Sequence, residues 1–461
     1  MSAALGHLAD DLRQVLQAEV LWPGDDGYER HRLVWNGSID RHPTVIVRPG
    51  GTPDIADRDT AMAVRAAVAG GLPVAIRGGG HNVAGLGTCD QGLLVDLSRL
   101  RSVHVDAHKR IALVGGGATW ADVDAATARH GLATTGGQVS TTGVGGLTLG
   151  GGLGWLARRY GLACDNLRAA SLVDASGAVS TVDADQDPDL FWALRGGGGN
   201  FGVVTRLSLA LHPVQTVIGG VLLYPLHRGR RMLQTFRDLV PVVPDGFTMS
   251  VGYWTPPGGE PHAGVALCHV GPPAEAVEAL AALRGCGPTY DDVAPVSYPA
   301  LQQVFDEGSP AGQRNAGKGE FLTALPDAAI DALVEEGAQL PTSLSQILIT
   351  HLGGAIARVP AESTAFGHRG ATYVLNALAL WSDPALDDAL RDWTRQIRER
   401  VLPWSAGGAY VNFLEDEGAD RVSQAYAPAV HSRLVDIKTR VDPQNVFRVN
   451  QNIRPRAWAS G

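Results

Sequence analysis

The chain has little cysteine, no excess of positive charge and no long hydrophobic run. Its four cysteines are widely spaced without a CxxC pair, which argues against a zinc site, any other metal centre or a disulfide scaffold. A reducing, cytoplasmic location is therefore expected. Acidic residues outnumber basic ones by 47 to 38 and no basic stripe occurs, so no nucleic-acid partner is expected. The sequence contains no stretch of about 18 apolar residues, so no membrane span is expected.

Glycine is the residue that the chain has in excess. The 58 glycines have no collagen-like period and cluster in four places. Those places are residues 78–92, 115–117, 136–154 and 196–202. Clustered glycine beside good strand sequence indicates backbone that lies close to another group. With 461 residues and 18% charged residues, the chain is expected to fold into two or three ordinary globular domains.

The sequence divides into three parts. Helices (about 7–19, 54–69 and 120–130) and short strands are mixed up to about residue 205, which favours an α+β fold over a regular βαβ series. Between about 213 and 395, glycine thins out. Longer strands alternate there with helices, which predicts an antiparallel sheet with helices on one face. The tail from 408 returns to glycine and asparagine and contains a predicted helix at 424–440.

One histidine lies in the loop Arg77-Gly78-Gly79-Gly80-His81-Asn82, between two predicted strands. Three glycines allow backbone N–H groups to close on an anion. Arg77 adds a positive fork suited to phosphate. A histidine beside such a nest is oddly placed for a structural role, although a bare turn between strands explains this segment equally well.

The longest glycine tract runs from Gly136 to Trp155. Hydroxyl side chains at Ser140, Thr141 and Thr142 are interleaved with bare backbone, as a pyrophosphate or a planar heteroaromatic ring requires. A flexible loop is the alternative, but the apolar side chains within the tract disfavour it.

Two segments resemble familiar phosphate-binding motifs, but each lacks features that the motif requires. Residues 312–319 resemble a P-loop, but Gly319 stands where Ser or Thr is needed and no strand leads in. The run from Gly196 to Gly202 lacks the following βαβ unit and acidic residue of a dinucleotide fingerprint.

Taken together, the motifs resemble one family, and they occur in its order over about residues 25–456. The chain is similar to the FAD-linked oxidases of the vanillyl-alcohol oxidase / p-cresol methylhydroxylase superfamily, in the bacterial part of the berberine-bridge-enzyme-like branch. The resemblance is carried by the 77–82 loop, Gly143–Gly146, Gly150–Gly152, Arg159–Leu162, Asp165-Asn166, Asp189–Val204, Tyr410–Asn412, Asp442–Phe447 and Asn450–Ile453.

The resemblance implies a fold and a cofactor. Residues 1–205 and 410–461 would form a two-part FAD-binding domain, and 206–409 an inserted substrate domain. His81 matches the histidine bonded to the 8α-methyl of FAD, whereas Val139 replaces the cysteine that makes a second link in many relatives. The implied cofactor-binding residues are Arg77, Gly78, Gly79, Gly80, His81, Asn82, Gly85, Gln138, Ser140, Thr141, Thr142, Gly145, Gly146, Gly150, Gly151, Gly154, Val204, Asn412, Asn450 and Asn452.

The resemblance also implies a catalytic base. Tyr410 matches the tyrosine that takes a proton from substrate, although it could instead pack over the flavin. A tyrosine has an ordinary pKa of ~10 and needs a nearby positive charge or hydrogen bond to serve near neutral pH. The candidates to supply it are Lys318, His351, His368 and Arg369. His351 is also a weaker substrate-site candidate, and Leu153 stands where many relatives have a second tyrosine.

Three functions stay open at this stage. An oxidase that passes electrons to O₂ is favoured, because Thr142, close to valine in size, matches the position at which a small residue admits oxygen in relatives. A dehydrogenase with another acceptor and a non-catalytic flavin-binding protein are the alternatives. The substrate is expected to be a small molecule (a secondary alcohol, a sugar hydroxyl, a cyclic amine or a polyketide intermediate), handled by a monomer or homodimer.

Overall fold

The computed structural model describes residues 10–456. Of the helix predicted at 7–19, residues 7–9 lie outside the described part, and residues 10–15 are helical. The chain then turns into the strand Glu19–Leu21, which pairs antiparallel with Val45–Arg48. The predicted helix is thus too long at its C-terminal end, because a strand partner 25 or so residues later captures that segment.

The first sheet has four strands, three of them parallel. Its order is Glu19–Leu21, Val45–Arg48, Leu93–Asp96 and Val74–Arg77, and the helix Pro53–Ala69 makes the crossover. The parallel strands are almost wholly apolar, as strands covered on both faces are. Arg77 lies opposite Asp96 at the edge where the parallel strands end, so the His81 loop leaves the sheet there.

The second sheet is antiparallel and has five strands. In order they are Val103–Asp106, Ile111–Gly115, Val203–Ala210, Leu167–Val173 and Val179–Asp183. A two-residue pair, Leu132–Ala133 with His212–Pro213, lies nearby. Apolar residues of this sheet form one core with the helices Trp120–Ala128, Pro188–Leu194 and Pro428–Val441.

The third sheet confirms the predicted antiparallel sheet. Along its main path lie Tyr290–Asp291, Thr216–Tyr224, His262–His269, Phe247–Trp254, Gln346–His351, Tyr373–Trp381 and Arg314–Leu322, and Ala294–Ser297 also pairs with Thr216–Tyr224. One face is covered by the helices Gly229–Leu239, Val277–Arg284, Asp327–Gly337 and Asp387–Val401. The molecule is therefore α+β, with one partly parallel sheet that the sequence reading did not anticipate. The domain boundaries at 206 and 409 stay a prediction.

Short helices connect these layers. The α-helical ones are Tyr28–Arg32, Val144–Leu149, Ala157–Tyr160, Tyr298–Leu301, Ala355–Arg358 and Ala419–Gln424. The 3₁₀ segments are Leu97–Arg99, Ala163–Asn166, Gly198–Asn200, Leu226–Arg228, Pro273–Ala276, Ala361–Ser363, Pro384–Leu386, Leu402–Trp404 and Val411–Phe413. None of the helices in residues 10–456 has the length and apolar character needed to cross a membrane.

Glycine residues allow separate backbone segments to come into direct contact. A Cβ on Gly79 would lie 2.4 Å from the backbone nitrogen of Gly143, and one on Gly143 would lie 2.3 Å from that of Gly79. The His81 loop and the long glycine tract therefore cross in direct backbone contact. Gly116 similarly lies against the carbonyl of Val204.

Candidate active site

A cavity of about 370 Å³ opens where the glycine tracts meet the uncovered face of the third sheet. Its wall combines residues from the His81 loop, the long glycine tract, the third sheet and the tail after residue 409. The structure thus brings together side chains that lie more than 300 positions apart in the sequence.

Most of the predicted site residues line this cavity. They are Arg77, Gly78, Gly79, Gly80, His81, Asn82, Gln138, Thr142, Gly145, Gly146, Gly154, Val204, His351, Tyr410, Asn412 and Asn450. Six predicted cofactor residues do not line it, namely Gly85, Ser140, Thr141, Gly150, Gly151 and Asn452.

Thr141 and Gly150, which do not line the cavity, contact side chains that do. Thr141 Oγ1 lies 3.1 Å from His81 Nε2. A Cβ on Gly150 would lie 2.0 Å from Asn412 Oδ1, so the bare glycine makes room for that amide. Ser140 donates its backbone N–H and its hydroxyl to the carboxylate of Asp306, at 2.8 and 2.6 Å.

His81 is held as a neutral ring. It stacks on Trp35 with ring centroids 5.3 Å apart. Burial lowers the pKa of the His81 imidazole to about 4, and the Asp306 carboxylate acts in the opposite direction. A neutral imidazole keeps one ring nitrogen unprotonated, which is the form that a nucleophile requires.

Arg77 does not offer a free fork for phosphate, and this corrects the sequence interpretation. Its Nη2 and Nε atoms bind the buried carboxylate of Asp96 at 2.5 and 3.2 Å, and Nη1 donates to the Leu33 carbonyl at 2.7 Å. Arg48 Nε binds the same carboxylate at 2.8 Å. The Arg77 guanidinium is therefore paired with Asp96, and its hydrogen bonds hold the start of the His81 loop in place.

Two glycines leave open space at the cavity. Within the described part of the chain, no heavy atom comes within 4 Å of a Cβ built on Gly146 or Gly199, and both residues line the wall. Backbone at these points can be approached closely by a bound molecule, and a larger side chain would fill the space. Buried amide oxygens nearby, Oδ1 of Asn450 and Oδ1 of Asn452, have no hydrogen-bond partner among residues 10–456. Such groups are expected to be satisfied by a ligand or water.

Three hydrogen-bond donors converge on the hydroxyl oxygen of Tyr410. Its Oη accepts from the backbone N–H groups of Gly152 and Leu153, at 2.9 and 3.2 Å, and from Asn412 Nδ2 at 3.0 Å. Burial raises the pKa of Tyr410 to about 12, while these three donors act to lower it. The same donors that stabilise a phenolate thus partly offset the cost of burying one.

The charged and histidine candidates do not supply Tyr410 with a positive charge. Lys318 Nζ pairs with Glu415 Oε2 at 2.7 Å, and Arg369 pairs with Asp165 at 2.6 Å. His368 Nε2 contacts the Ala425 carbonyl at 2.8 Å. These candidates therefore do not supply the positive charge; the alternative requirement, hydrogen bonding to the phenol oxygen, is met by backbone and amide N–H groups.

The His351 ring lies on the helix-covered side of the third sheet, so it is not placed to bind substrate. It ends the strand Gln346–His351, in which alternate residues point to opposite faces. Its ring packs edge-on against Phe236 of a covering helix, with centroids 5.9 Å apart. Burial and the nearby Arg158 lower the pKa of His351 far below its usual value, so the ring is neutral. His351 adds to the wall, but its ring lies in the core between sheet and helices.

The sequence interpretation missed the sheet residues that face the cavity. On two adjacent strands, the directly opposed pairs are Gln346 with Leu378, Leu348 with Asn376, and Thr350 with Val374. All six line the cavity. They are called the polar–aliphatic face below. The alternation of side chains in Gln346-Ile-Leu-Ile-Thr-His indicates a strand with two different faces. Only the pairing register shows which residues of the neighbouring strand share the cavity-facing side.

Comparison with known proteins agrees with this geometry. A family model described as FAD binding domain matches residues 43–183, and one described as berberine and berberine like matches residues 409–454. The chain is 31% identical to (R)-6-hydroxynicotine oxidase of Paenarthrobacter nicotinovorans, over 95% of this chain and 97% of that protein. The protein is an FAD-dependent oxidoreductase of the berberine-bridge-enzyme-like family.

Solved structures place the enzyme in the same family. The crystal structure of 6-hydroxy-D-nicotine oxidase from Arthrobacter nicotinovorans matches with a TM-score of 0.87 and 29% identity, over 96% of the enzyme and 98% of that chain. The structure of BBE-like #28 from Arabidopsis thaliana matches with a TM-score of 0.83 and 26% identity, over 97% and 99%. The family resemblance inferred from the motifs is confirmed.

The cavity fits FAD on its own evidence. Bare backbone at Gly146 and Gly199 leaves room for a close approach, and the unpaired Asn450 amide oxygen can accept from a bound group. His81, Gln138 and Asn412 line the same space. These residues are the ones expected to hold the cofactor.

Proposed function

We propose that the enzyme is an oxidase that removes hydride from an alcohol, sugar-hydroxyl or amine carbon of a small molecule. The observation that carries the proposal is a single cavity in which the glycine cradle, the neutral His81 and the hydrogen-bonded Tyr410 meet the face of the third sheet. Binding sites are favoured at such junctions between layers. When bound, FAD supplies the hydride acceptor and returns the electrons to O₂, which yields hydrogen peroxide.

His81 is proposed to carry a single covalent link to the cofactor. Its ring is neutral, stacked on Trp35 and oriented by Thr141, so one nitrogen is available as a nucleophile. Val139 lines the cavity where a cysteine would be needed for a second link. Of the wall residues in the described part of the chain, none is a cysteine.

Tyr410 is proposed to take the proton from the substrate hydroxyl or amine. At pH 7 a phenol of pKa about 12 is protonated, and forming its anion costs about 7 kcal/mol. The donors from Gly152, Leu153 and Asn412 hold the oxygen in place and stabilise the negative charge as it forms. Proton removal from the substrate makes hydride loss from the adjacent carbon easier.

Oxidase rather than dehydrogenase activity is supported by two observations. The relative matched over almost its whole length is named an oxidase of 6-hydroxynicotine. Thr142 lines the cavity, and its side chain is close in size to valine. A small residue there leaves a route for O₂.

A two-stage screen tests the proposal. The purified, yellow holoenzyme is mixed anaerobically with alcohols, sugars, cyclic amines and hydroxylated aromatic compounds, and loss of flavin absorbance near 450 nm is followed. Air is then admitted and hydrogen peroxide is measured. An oxidase bleaches with at least one compound and releases one peroxide per turnover. Bleaching that O₂ reverses only slowly would indicate a dehydrogenase, and no bleaching with any compound would favour a flavin-binding protein without catalysis.

A further inference from the structure

The polar–aliphatic face has a regular pattern of neutral groups. Each of its three cross-strand pairs joins one polar and one aliphatic side chain: Gln346 with Leu378, Leu348 with Asn376, and Thr350 with Val374. Gln346 and Thr350 are four residues apart, or about 14 Å along the strand, and the amide of Asn376 lies between them on the next strand. Three hydrogen-bonding groups are thus spread over one surface, with aliphatic contacts between them.

Glycine flanks this pattern on both neighbouring strands. Gly252 lies opposite Leu348 on one side, and Gly317 lies opposite Leu378 on the other. A Cβ on Gly252 would lie 1.8 Å from the Ile347 carbonyl, so no larger residue fits there. No side chain therefore projects over the face from these two positions.

A chain of hydrogen bonds connects the Thr350 hydroxyl to Ser250 and Gln138. Gln138 Nε2 donates to Ser250 Oγ at 2.6 Å, and Ser250 Oγ lies 2.6 Å from Thr350 Oγ1. Ser250 accepts from Gln138 and can donate its own proton to Thr350. This leaves the Thr350 proton available to an acceptor in the cavity.

The charges at the cavity are already engaged. Among the wall residues that the structure describes, the only Arg, Lys, Asp or Glu side chains are Arg77 and Arg158. Arg77 pairs with Asp96. Arg158 donates from Nε to the Phe247 carbonyl at 2.9 Å, and its other nitrogens bind the carbonyls of Leu352 and Pro244. Moving a charged molecule to this wall has a large desolvation cost, and the Arg77 charge is already neutralised by Asp96 while Arg158 is held against backbone carbonyls.

We propose that the substrate is an uncharged, flat ring system that carries at least two oxygen substituents. Its ring faces would contact Leu348, Val374 and Leu378, and its oxygens would bind Gln346, Asn376 and Thr350. This inference rests on the proposed function and selects among its substrate classes: it disfavours cationic amines, and it disfavours sugars because they carry more hydroxyl groups than the three polar side chains of this face can bind.

Binding of matched probes to the holoenzyme tests the inference without turnover. Dihydroxynaphthalene, naphthylmethylamine (a cation at pH 7) and naphthoate (an anion) share one ring system. Each is titrated into the enzyme, and the change in the absorbance spectrum of the oxidised flavin is recorded. The diol is expected to bind at least about tenfold more tightly than either charged probe. Equal or tighter binding of a charged probe, or no binding of the diol, overturns the proposal.

Two variants test the contacts. Asn376→Leu and Gln346→Met keep side-chain size and remove one neutral hydrogen-bonding group each. Each should weaken diol binding about 5- to 10-fold, the usual effect of one neutral hydrogen bond, and should leave binding of naphthalene unweakened. Gln339→Leu, which removes an exposed amide outside the cavity, should change neither. Unchanged diol affinity in both cavity variants contradicts the proposal.

The outcomes separate this inference from the proposed function. If a sugar or a cationic amine bleaches the flavin while the diol does not bind, the substrate class is wrong and the oxidase proposal stands. If the diol binds as expected and no compound bleaches the flavin, the recognition surface is right and the oxidase proposal fails.

Discussion

Replacing Tyr410 with phenylalanine removes one oxygen atom and keeps the ring. The ring is 2% exposed and packs against Phe413, with centroids 4.8 Å apart, so its position should be retained. Three donors lose their acceptor, on Gly152, Leu153 and Asn412. Because the cavity can admit water to them, the loss of stability should be near the low end of about 1–3 kcal/mol per unsatisfied group.

The effect on catalysis should be much larger than the effect on binding. General base catalysis contributes typically about 10²- to 10⁴-fold, which corresponds to roughly 3–5 kcal/mol of barrier. Anaerobic flavin reduction by Tyr410→Phe should therefore slow by that factor, while the substrate dissociation constant changes little. Reoxidation by O₂ after chemical reduction should be nearly unchanged, because that half-reaction does not use the same proton transfer.

Stopped-flow absorbance measures both half-reactions. Tyr426→Phe is the matched control: Tyr426 is also buried, its hydroxyl donates to the Gly196 carbonyl at 3.3 Å, and it does not line the cavity. This control should reduce its flavin at the wild-type rate. If Tyr410→Phe also reduces at that rate, Tyr410 is not the base. If its O₂ reaction slows as much as its reduction, a general disturbance of the site explains the loss.

Three further predictions concern the same residues and their supports. With the Tyr410 pKa near 12, its deprotonated fraction grows with pH, so the flavin reduction rate should rise up to about tenfold per pH unit without a plateau below pH 10; a plateau near neutral pH would exclude this base. Gly146→Val fills open space at the wall and should lower the flavin content of purified protein, whereas Gly370→Val, also in open space but outside the cavity, should not; equal flavin contents would contradict the cradle. Asp96→Asn leaves Arg77 and Arg48 without their buried partner and should destabilise by about 3–5 kcal/mol, seen as a lower Tm. The Arg77 guanidinium holds the Asp96 pKa low, so its contribution is present at neutral pH and is lost as pH falls through that value. Asp436→Asn, which breaks an exposed pair with Arg456, is the control and should leave Tm almost unchanged. An equally small change in the Tm of Asp96→Asn would contradict the prediction.

Local patterns predicted where backbone segments approach one another closely. Glycines at 79, 143 and 146 are visible in the sequence, and their lack of a side chain has one common physical use, namely close approach of backbone or ligand. The antiparallel sheet also followed from local alternation. The parallel sheet did not, because its strands are short apolar runs that have no period of two.

Long-range pairing explains what could not be predicted. Arg77 looked free for phosphate because nothing in its own loop shows that Asp96 neutralises it. Two of the three donors to Tyr410 come from residues more than 250 positions earlier, so the sequence did not show that backbone N–H groups meet its need for a partner. His351 differs, since strand parity alone could have placed its ring on the helix-covered face.

The central claim is that this cavity holds FAD joined to the protein at His81, and intact-mass measurement after acid denaturation tests it most directly. The account predicts the mass of the chain plus one FAD, with the flavin on the peptide that contains His81. His81→Ala should give the bare-chain mass while still binding some flavin before denaturation, because the glycine cradle and the Asn450 amide remain. A bare-chain mass for the wild-type protein purified in its yellow form, or flavin attached to any other residue, would contradict the account.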